Sequence, residues 1–386
     1  MRAKLAAQSV LVTEKQRQPL RGFDARMNAK PALLSPRFAR HAGPAIRLGR
    51  EQRTLTATVS GKLSDGGYRM LADPCPCGKA SADVLLAEVD RYGLPLNTVL
   101  CSACGTLRID PYPDDVGLAD FYTRYYQQMY ARADDRAAYF AKQQSYGRRV
   151  LESVRDWLPA DSFVFEIGCG AGGALEVLRQ AGYQVGGCDY SRELIQYGCD
   201  RGLPLHWGPP IDTLKSLPAP SLIYMHHVFE HVRDPLGQLV GLRDRLGMQG
   251  KILIIVPDVS RISEFPFPAG DLRLFVHIAH RYNFSLEGFR QLAARAGLNV
   301  DSLHQRDAHA SPEFWALLGK QASEQVKRDE HAGRNMLAYL RRTERLRQLR
   351  LTRGQIIGLP ARIRGKLSSM FRRGRSLLVS APSDMS

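Results

Sequence analysis

The 386-residue sequence lacks any long hydrophobic run, since no window approaches the ~20 apolar residues that a helix needs to cross a bilayer. Its first stretch, MRAKLAAQSVLVTEKQRQ, contains only a short apolar patch that charged residues soon interrupt, which is not the pattern of a secretory signal. There is no internal repeat, which excludes solenoids and propellers. We therefore expect a cytoplasmic protein, and its 44% hydrophobic content suffices for a full globular core.

Acidic residues are scarce at both ends of the chain. Residues 1–69 contain 14 Lys and Arg against 4 Asp and Glu, and residues 320–386 contain 16 against 5, within a total net charge of +16. The middle of the chain is therefore acidic, which does not suit a catalytic face moulded to a phosphate backbone, although basic ends can bind nucleic acid or anionic lipid. Residues 1–69 also lack sustained periodicity, and we predict a disordered basic arm there.

The seven cysteines do not form the pattern of a disulfide framework. Four of them stand in two close pairs, Cys75-Pro-Cys77 and Cys101-Ser-Ala-Cys104, and each pair is followed by a glycine. Two such turns can direct four thiolates at one tetrahedral zinc ion, so we predict a structural Zn²⁺ site in a module over 70–112. The C-x-C pair is tighter than the usual C-x-x-C, which leaves partial or lost metal binding as the alternative. The remaining cysteines are predicted to be small core residues: Cys169, Cys188 and Cys199.

Strand-like apolar runs alternate with helical stretches from Phe163 to about Val300. The runs are FVFEI, YQVGGCD, LPLHW, SLIYMHH and KILIIVP. This alternation predicts an α/β fold with a doubly wound, Rossmann-like, mostly parallel sheet that helices cover on both faces. We accordingly divide the rest of the chain into a helical linker or lid over 113–160, a ligand-binding domain over 161–310 and a basic helical tail over 311–386.

The stretch FVFEIGCGAGG, Phe163 to Gly173, satisfies the G-x-G-x-x-G pattern, and Asp189 follows where a dinucleotide fold places its ribose-binding acid. Glu166 opposes a dinucleotide, because a carboxylate beside its pyrophosphate would repel it by about 1 to 4 kcal/mol. A cationic ligand reverses that sign. S-adenosylmethionine carries a sulfonium and an ammonium group and no phosphate, so these residues favour it over a nucleotide cofactor or a turn without a ligand.

Five segments in this order resemble the class I S-adenosylmethionine-dependent methyltransferases of the type-11 and type-23 branches. They are EIGCGAG, DYS, HHVFEHVRDPLGQL, GKILIIVPD and HRYNFSLEGFRQLAARAGLNV. The resemblance covers residues 75–303 and implies a seven-stranded sheet. It also implies cofactor-binding roles for the following residues: Glu166, Gly168, Cys169, Gly170, Gly172, Asp189, Tyr190, Asp212 and His226. Of these, Asp189 and Tyr190 would hold the ribose and adenine, and Asp212 would contact the adenine.

Glu230 and His231 follow the fourth strand, at the carboxyl edge where open parallel sheets bind ligands. They are the predicted catalytic residues, with His231 as a general base and Glu230 as the carboxylate that raises its basicity. Two other interpretations stay open: the pair braces a helix, or it binds magnesium as in ubiquinone-type O-methyltransferases. A later group, His277, His280 and Tyr282, is predicted to line the acceptor pocket.

The continuation CGTLRIDPYPDD resembles the zinc module of sugar C-methyltransferases, which implies methyl transfer to a sugar or another polar small molecule, such as a nucleotide-linked sugar. The alternatives are an RNA base methyltransferase, a ubiquinone-type small-molecule O-methyltransferase and a zinc-stabilised binding protein with a vestigial cofactor site. Against the RNA enzyme, the fourth strand ends in MHHV rather than in an N/D-P-P-Y-like turn. The stretch ARIRGKLSSMFRRGR predicts a basic amphipathic helix, which suits peripheral contact with an anionic membrane or packing on a protein surface.

Overall fold

The computed structural model describes residues 30–80, 82–130, 135–265, 270–308, 311–320 and 328–358. The strands are β1 (Lys30–Pro31), β2 (Met70–Leu71), β3 (Asp83–Ala87), β4 (Thr98–Cys101), β5 (Leu107–Ile109), β6 (Tyr112–Pro113), β7 (Phe163–Ile167), β8 (Gln184–Asp189), β9 (Leu205–Trp207), β10 (Leu222–His226), β11 (Lys251–Pro257), β12 (Tyr282–Asn283), β13 (Asn299–Ala308) and β14 (Ser311–Gly319). The helices are α1 (Arg50–Ser64), α2 (Asp115–Phe121), α3 (Gln127–Tyr130), α4 (Arg136–Val154), α5 (Gly173–Gln180), α6 (Arg192–Cys199), α7 (Pro210–Lys215), α8 (Pro235–Arg245), α9 (Leu286–Arg295) and α10 (Ala332–Gly358). A π-helical segment, Tyr122–Tyr126, connects α2 with α3.

The larger sheet has seven strands in the order β13-β14-β11-β10-β7-β8-β9. Strands β7 to β11 run parallel, whereas β14 pairs antiparallel with both β11 and β13. The predicted mixed α/β fold with a mostly parallel, seven-stranded sheet is therefore confirmed. All five of the parallel strands coincide with the apolar runs in the sequence.

The strands of this sheet are apolar on both faces because helices cover both. In β7, Val164 belongs to one core cluster and Phe165 to the other. The same alternation holds in β10, where Ile223 and Tyr224 enter opposite clusters. A parallel sheet buried in this way needs near-continuous hydrophobic strands, which is what the sequence supplies.

Strand β14 corrects the predicted domain boundary at residue 310. We expected a helical tail from residue 311, but Ser311–Gly319 forms a strand of the seven-stranded sheet and pairs with β11. The run from Phe314 to Leu318 is almost entirely buried. A short apolar run fits a buried strand and a helix segment equally well, and its pairing with β11 is a tertiary contact that periodicity does not reveal.

The smaller sheet joins the cysteine module to the remainder of the chain. Its order is β1-β3-β4-β5-β12, and β12 pairs antiparallel with β5 through Asn283 and Leu107. Tyr282, in β12, is 2% exposed, and its hydroxyl accepts a hydrogen bond from Arg281 Nε at 3.1 Å. The prediction that Tyr282 lines an acceptor pocket is wrong, because this side chain packs in the core.

The prediction of a disordered arm over 1–69 is wrong for residues 36–64. Helix α1 buries Val59 and Leu63, and Phe38 is fully buried ahead of it. Leu55, Val59 and Leu63 recur every four residues, which places them on one face of the helix. The many polar residues between them make this apolar pattern hard to recognise in the sequence. Residues 1–29 lie outside the described residues.

The chain divides into two units, Met1–Leu337 and Ala338–Ser386. The described part of the second unit is helical as far as Gly358 and exposes Leu346, Leu349 and Leu351. The predicted basic amphipathic helix in residues 361–375 lies outside the described residues. Among the helices that are described, none is both long enough and apolar enough to cross a membrane.

Candidate active site

In the turn after β7, the glycine turn, the backbone takes conformations that favour glycine. Gly168, Gly170 and Gly172 have φ values of 72°, 52° and 80°. A Cβ on Gly168 would lie 2.4 Å from Val228 Cγ2, so a side chain is excluded there by space as well as by φ. The turn therefore has a bare backbone of the kind that lets a ligand approach closely.

Gln143 on α4 holds this turn from behind, and sequence reasoning missed it. Its Nε2 donates to Cys169 O at 2.8 Å, and its Oε1 accepts from the amides of Ala171 at 3.2 Å and Gly173 at 3.4 Å. Gln143 is 6% exposed, so these hydrogen bonds are shielded from water. An isolated glutamine 25 residues before the motif carries no signal of this role in the sequence.

Glu166 has the environment expected of a partner for a cation. It is 4% exposed, and its Oε2 has no hydrogen-bond partner within the described part of the chain. Burial raises the pKa of Glu166 to about 8; the neighbouring Tyr224 hydroxyl opposes this rise, and the nearby charge of Asp189 adds to it. A bound positive group would relieve both effects and return the carboxyl group to its ionised form.

Asp189 ends β8 and connects two turns. Its Oδ2 accepts from the amide of Gly170 at 3.0 Å, and its Oδ1 accepts from the amide of Ser191 at 2.7 Å. Burial raises the pKa of this carboxyl group, and the two amide hydrogen bonds oppose that rise. The predicted acid therefore lies directly against the glycine turn.

Trp207 is a second residue that the sequence did not single out. It is the cross-strand partner of Asp189 on β9, and its Nε1 donates to Tyr190 O at 3.1 Å. The guanidinium of Arg192 lies 3.6 Å from the centre of the indole ring, and Trp207 is 45% exposed. Next to it the Tyr190 side chain is 70% exposed, so this edge presents two open aromatic rings.

Three other predicted residues have different surroundings. Asp212 is exposed on α7 and forms an ion pair with Lys215 at 2.6 Å. The ring of His226 lies 4.4 Å from that of Tyr146, and burial lowers its pKa. Cys199 is exposed, so its assignment to the core is wrong, whereas Cys169 and Cys188 are buried as predicted.

The predicted catalytic pair lies in a short 3₁₀ turn, Phe229–His231, directly after β10. Glu230 is 1% exposed, and two imidazole nitrogens approach its Oε1 in addition to that of His227: His231 Nε2 at 4.0 Å and His280 Nε2 at 3.9 Å. His231 donates from Nδ1 to Ala279 O at 2.6 Å, which fixes the orientation of its ring. The structure thus brings His280 to the predicted pair.

A buried charge network lies behind Glu230. His227 Nδ1 is 3.2 Å from Glu230 Oε1, and His227 Nε2 is 2.8 Å from Glu313 Oε1. Arg149 forms an ion pair with Glu313 at 2.8 Å. Burial disfavours the charge on His227, but its two carboxylate partners outweigh burial and raise its pKa to about 9. Burial likewise opposes ionisation of Glu230, yet its contact with His227 prevails and lowers the pKa of Glu230 to about 2.

Three tyrosines at a spacing of four residues, the tyrosine row, adjoin this polar cluster. The rings of Tyr122 and Tyr126 are 5.0 Å apart, and Tyr126 stacks on Tyr130 at 4.7 Å. Tyr130 reaches His277 Nδ1 through a hydrogen bond of 2.9 Å, and the His277 ring is 3.8 Å from that of His280. Burial raises the pKa of Tyr126, and the charge of Glu230 adds to the rise. The row therefore presents aromatic surface next to Glu230.

Comparison with known proteins finds a match over the part of the chain that holds most of these residues. Residues 124–303 match the family model for a methyltransferase domain, Methyltransf_23. Over these residues the chain is similar to that family of methyltransferase domains. The protein is accordingly an enzyme, an S-adenosylmethionine-dependent methyltransferase.

Solved structures of methyltransferases resemble this one at low sequence identity. A SAM-dependent methyltransferase from Archaeoglobus fulgidus is 17% identical, with 52% of this chain and 100% of that chain covered and a TM-score of 0.37. The plantazolicin methyltransferase BamL, in complex with a triazolic desmethylPZN analog and SAH, is 14% identical, with coverage of 52% and 94% and a TM-score of 0.39. The glycopeptide N-methyltransferase MtfA, complexed with SAM, is 13% identical, with coverage of 46% and 94% and a TM-score of 0.36. No curated protein matches the chain.

The residues of the methyltransferase domain fit its cofactor. Glu166 supplies a buried carboxylate with an unpartnered oxygen, which suits a ligand carrying an ammonium and a sulfonium group. The glycine turn provides bare backbone, and Asp189 stands at the end of the next strand. Neither acid suits a phosphate group at this position.

The four paired cysteines converge on one point and pack against helix α9 of the methyltransferase domain. The Sγ atoms of Cys75, Cys77, Cys101 and Cys104 all lie within 4.8 Å of one another. Cys75 and Cys104 are 3.6 Å apart, and Cys77 and Cys101 are 3.9 Å apart. None of the seven cysteines, all of which lie within the described part of the chain, forms a disulfide.

Both cysteine turns are attached to α9. Ser285, its N-cap residue, donates from Oγ to Cys104 O, and Arg295 in its last turn donates to Pro76 O at 2.6 Å. Gly288 allows the close approach, because a Cβ there would lie 3.0 Å from Cys104 Sγ. The cysteine cluster therefore supports the helix that follows the predicted acceptor residues.

Proposed function

We propose that this enzyme transfers a methyl group from S-adenosylmethionine to a sugar or another polar small molecule, such as a nucleotide-linked sugar, in the cytoplasm. The observation that carries the proposal is the combination of Glu230, His231 and His280 with the tyrosine row. Together these residues provide one aromatic surface and several convergent polar atoms, the usual composition of a small-molecule site.

Three residues of the domain are assigned to the cofactor. When bound, S-adenosylmethionine supplies a methyl group already activated by its sulfonium charge. Glu166 would oppose that positive charge with its buried carboxylate, and Asp189 would accept hydrogen bonds from ribose hydroxyls. Gln143 acts through the backbone, because its hydrogen bonds keep the glycine turn in the conformation that receives the cofactor.

Glu230 and His231 are the residues at which the acceptor loses its proton. Because a carbonyl oxygen can only accept, the contact with Ala279 O requires His231 to carry its hydrogen on Nδ1. Nε2 then presents a lone pair toward Glu230, at 4.0 Å. Both atoms favour a positive charge or a proton placed between them, which is the requirement for removing a proton from an acceptor hydroxyl.

Methyl transfer to a panel of nucleotide-linked sugars, with radiolabelled S-adenosylmethionine, tests this assignment. On an accepted sugar, His231→Gln should lower turnover by about 10² to 10⁴, the usual contribution of a positioned proton acceptor. His206→Gln is the matched control, since His206 lies on β9 away from the predicted pair. Wild-type turnover in His231→Gln would remove His231 from the reaction.

We further propose that the cysteine cluster binds structural zinc. Tetrahedral Zn–S bonds of about 2.3 Å place sulfur atoms about 3.8 Å apart, close to the 3.6 and 3.9 Å of the two short pairs. The C-x-C pair contributes both of its thiols to the cluster, which supports a complete site over partial metal binding.

Metal analysis of the purified, reduced protein tests the zinc proposal. We expect about one zinc ion per chain, lost in Cys104→Ser together with a lower melting temperature, because structural zinc contributes directly to folding. Cys199→Ser alters an exposed thiol outside the cluster and should retain the metal. A wild-type protein without zinc would contradict the proposal.

A further inference from the structure

Helix α10 concentrates positive charge in its second half. Between residues 338 and 358 the sequence has six arginines and one acidic residue, Glu344. Glu344 is 4% exposed and accepts a hydrogen bond from Gln348 at 3.3 Å, so it places no negative charge on the outer surface. This part of the helix therefore presents arginine to the solvent without an acid of its own to compensate it.

Five residues on one side of the helix form a surface that we call the arginine face: Arg341, Arg342, Arg345, Leu346 and Leu349. The first four line one surface depression, and Leu349 follows one turn after Arg345. The three arginines are exposed, and none of them forms an ion pair with another residue that the structure describes. Their charges are therefore available to a partner.

The two leucines lie among these arginines. Leu346 is 39% exposed and Leu349 is 66% exposed, although both are apolar. On a helix, residues three or four apart are neighbours, so the leucines adjoin each other, and each adjoins an arginine. The face thus combines an apolar strip with positive charge, which distinguishes it from isolated exposed leucines on a solvated surface.

The segments of the chain outside the described residues have the wrong charge to cover this face. Residues 1–29 contain six Lys and Arg against two Asp and Glu, and residues 359–386 contain six against one. The shorter segments outside the description have no net charge. Because like charges repel, none of these segments neutralises the arginines, and the complementary partner is an anionic surface outside this chain.

We propose that the arginine face binds the surface of an anionic phospholipid bilayer, with α10 lying parallel to the membrane plane. The guanidinium groups pair with lipid phosphates, and each basic residue near such a surface adds to the attraction. The leucines enter the boundary between headgroups and acyl chains, while the long arginine stems keep their charges at the level of the phosphates. This inference is independent of the proposed function, since it uses no residue of the cofactor or acceptor sites.

Nucleic acid is a less suitable partner for the arginine face. Its phosphates also attract arginine, but proteins that bind single strands add aromatic rings on which the bases stack. The arginine face offers two leucines and no aromatic side chain. Leucine finds an apolar environment among acyl chains and not along a sugar-phosphate backbone.

Co-sedimentation of the full chain with lipid vesicles tests the proposal. We expect binding to vesicles made of equal amounts of phosphatidylcholine and phosphatidylglycerol, weakened by added salt, and no binding to phosphatidylcholine alone. The combined replacement Arg341→Gln, Arg342→Gln and Arg345→Gln should lower the affinity for the anionic vesicles at least about tenfold.

A matched control separates the arginine face from the total charge of the protein. The combined replacement Arg148→Gln, Arg155→Gln and Arg290→Gln removes the same charge from exposed positions outside α10 and should retain the wild-type affinity.

Replacing the leucines tests the apolar part of the interface. Leu346→Ser together with Leu349→Ser preserves the charge of the face and should also weaken binding to the anionic vesicles, because the apolar contribution is lost. Val116→Ser changes a residue of α2 that is 78% exposed, and it should bind these vesicles as the wild type does.

Four results would overturn the proposal. The first is a folded wild-type protein that does not bind the anionic vesicles. The second is equal affinity of the α10 arginine variant and its control, with melting curves confirming that both fold. Binding of polyuridylic acid without binding of vesicles would assign the face to nucleic acid instead. A dimer in light scattering that the α10 arginine variant loses would assign it to a second copy of the chain.

Discussion

Replacing Gln143 with methionine isolates the contribution of one buried amide to the cofactor site. The substitution preserves the length of the side chain and removes hydrogen bonds of 2.8 Å to Cys169 O, 3.2 Å from the Ala171 amide and 3.4 Å from the Gly173 amide. A neutral hydrogen bond contributes about 1 kcal/mol, and the longest of the three should contribute least. We expect the free energy of unfolding to fall by about 2 kcal/mol.

The same substitution should weaken cofactor binding. A glycine turn that has lost its support must be ordered when the ligand binds, and a penalty of about 1.4 kcal/mol corresponds to tenfold in affinity. We therefore expect a roughly tenfold higher Kd for S-adenosylmethionine. Urea denaturation measures the first effect and calorimetry the second.

An exposed glutamine provides the control for this prediction. Gln196 on α6 donates to Asp200 at 2.7 Å on the surface, and Gln196→Met should change stability by no more than about 0.5 kcal/mol. If Gln143→Met shifts stability and cofactor affinity no more than Gln196→Met does, Gln143 does not hold the turn.

Glu166, with a pKa of about 8 in the free protein, must lose its proton to oppose a cation, so cofactor affinity should rise with pH up to about 8. Glu166→Gln should remove this rise in affinity with pH. Calorimetry in buffers of different ionisation enthalpy should detect proton release on cofactor binding only in the wild type. If the wild type and Glu166→Gln show the same dependence of affinity on pH, the assignment of Glu166 is refuted. Gly168→Ala should destabilise the protein more than Gly202→Ala, because both glycines have positive φ (72° and 76°) but only the Cβ at 168 meets a close neighbour; equal losses on thermal denaturation would mean that the turn adapts. Leu63→Ala should lower the free energy of unfolding by about 2–5 kcal/mol, because α1 is part of the core, and a loss below about 0.5 kcal/mol would restore the expectation of a disordered arm.

The sequence was most informative where a local pattern determines the structure. Each parallel strand is a short apolar run. The glycines of the proposed cofactor site follow β7 directly, and its two acids, Glu166 and Asp189, lie near the end of β7 and at the end of β8. Asp189 therefore lies beside Gly170, although they are far apart in the chain, because neighbouring parallel strands end at the same edge. The paired spacing of the cysteines likewise predicted their convergence.

Tertiary contacts explain what the sequence did not reveal. Gln143 and Trp207 acquire their roles from an adjacent helix and strand, and neither belongs to a recognisable motif. Strand β14 pairs with β11 from more than 50 residues away, so its apolar run resembled part of a tail. Cys199 was expected in the core and is exposed, whereas Tyr282 was expected to line a pocket and packs in the core. Polarity alone does not determine which side of an element faces the core.

The catalytic roles of Glu230 and His231 stay predictions. The 4.0 Å separation of their facing atoms fits either direct proton acceptance or a shared metal ion. The helix-bracing interpretation predicts instead that substitution lowers the melting temperature and affects cofactor binding and turnover together. Comparing these three quantities in His231→Gln distinguishes the interpretations.

Equilibrium dialysis of radiolabelled S-adenosylmethionine against the full chain tests the central claim most directly. The account predicts one binding site per chain, from which unlabelled S-adenosylhomocysteine displaces the label and NADH at the same concentration does not. Its physical basis is the buried carboxyl group of Glu166, whose ionised form is stabilised by a bound cation and not by a pyrophosphate. Displacement by NADH at lower concentrations than by S-adenosylhomocysteine, or no binding of the label by the folded protein, would contradict it.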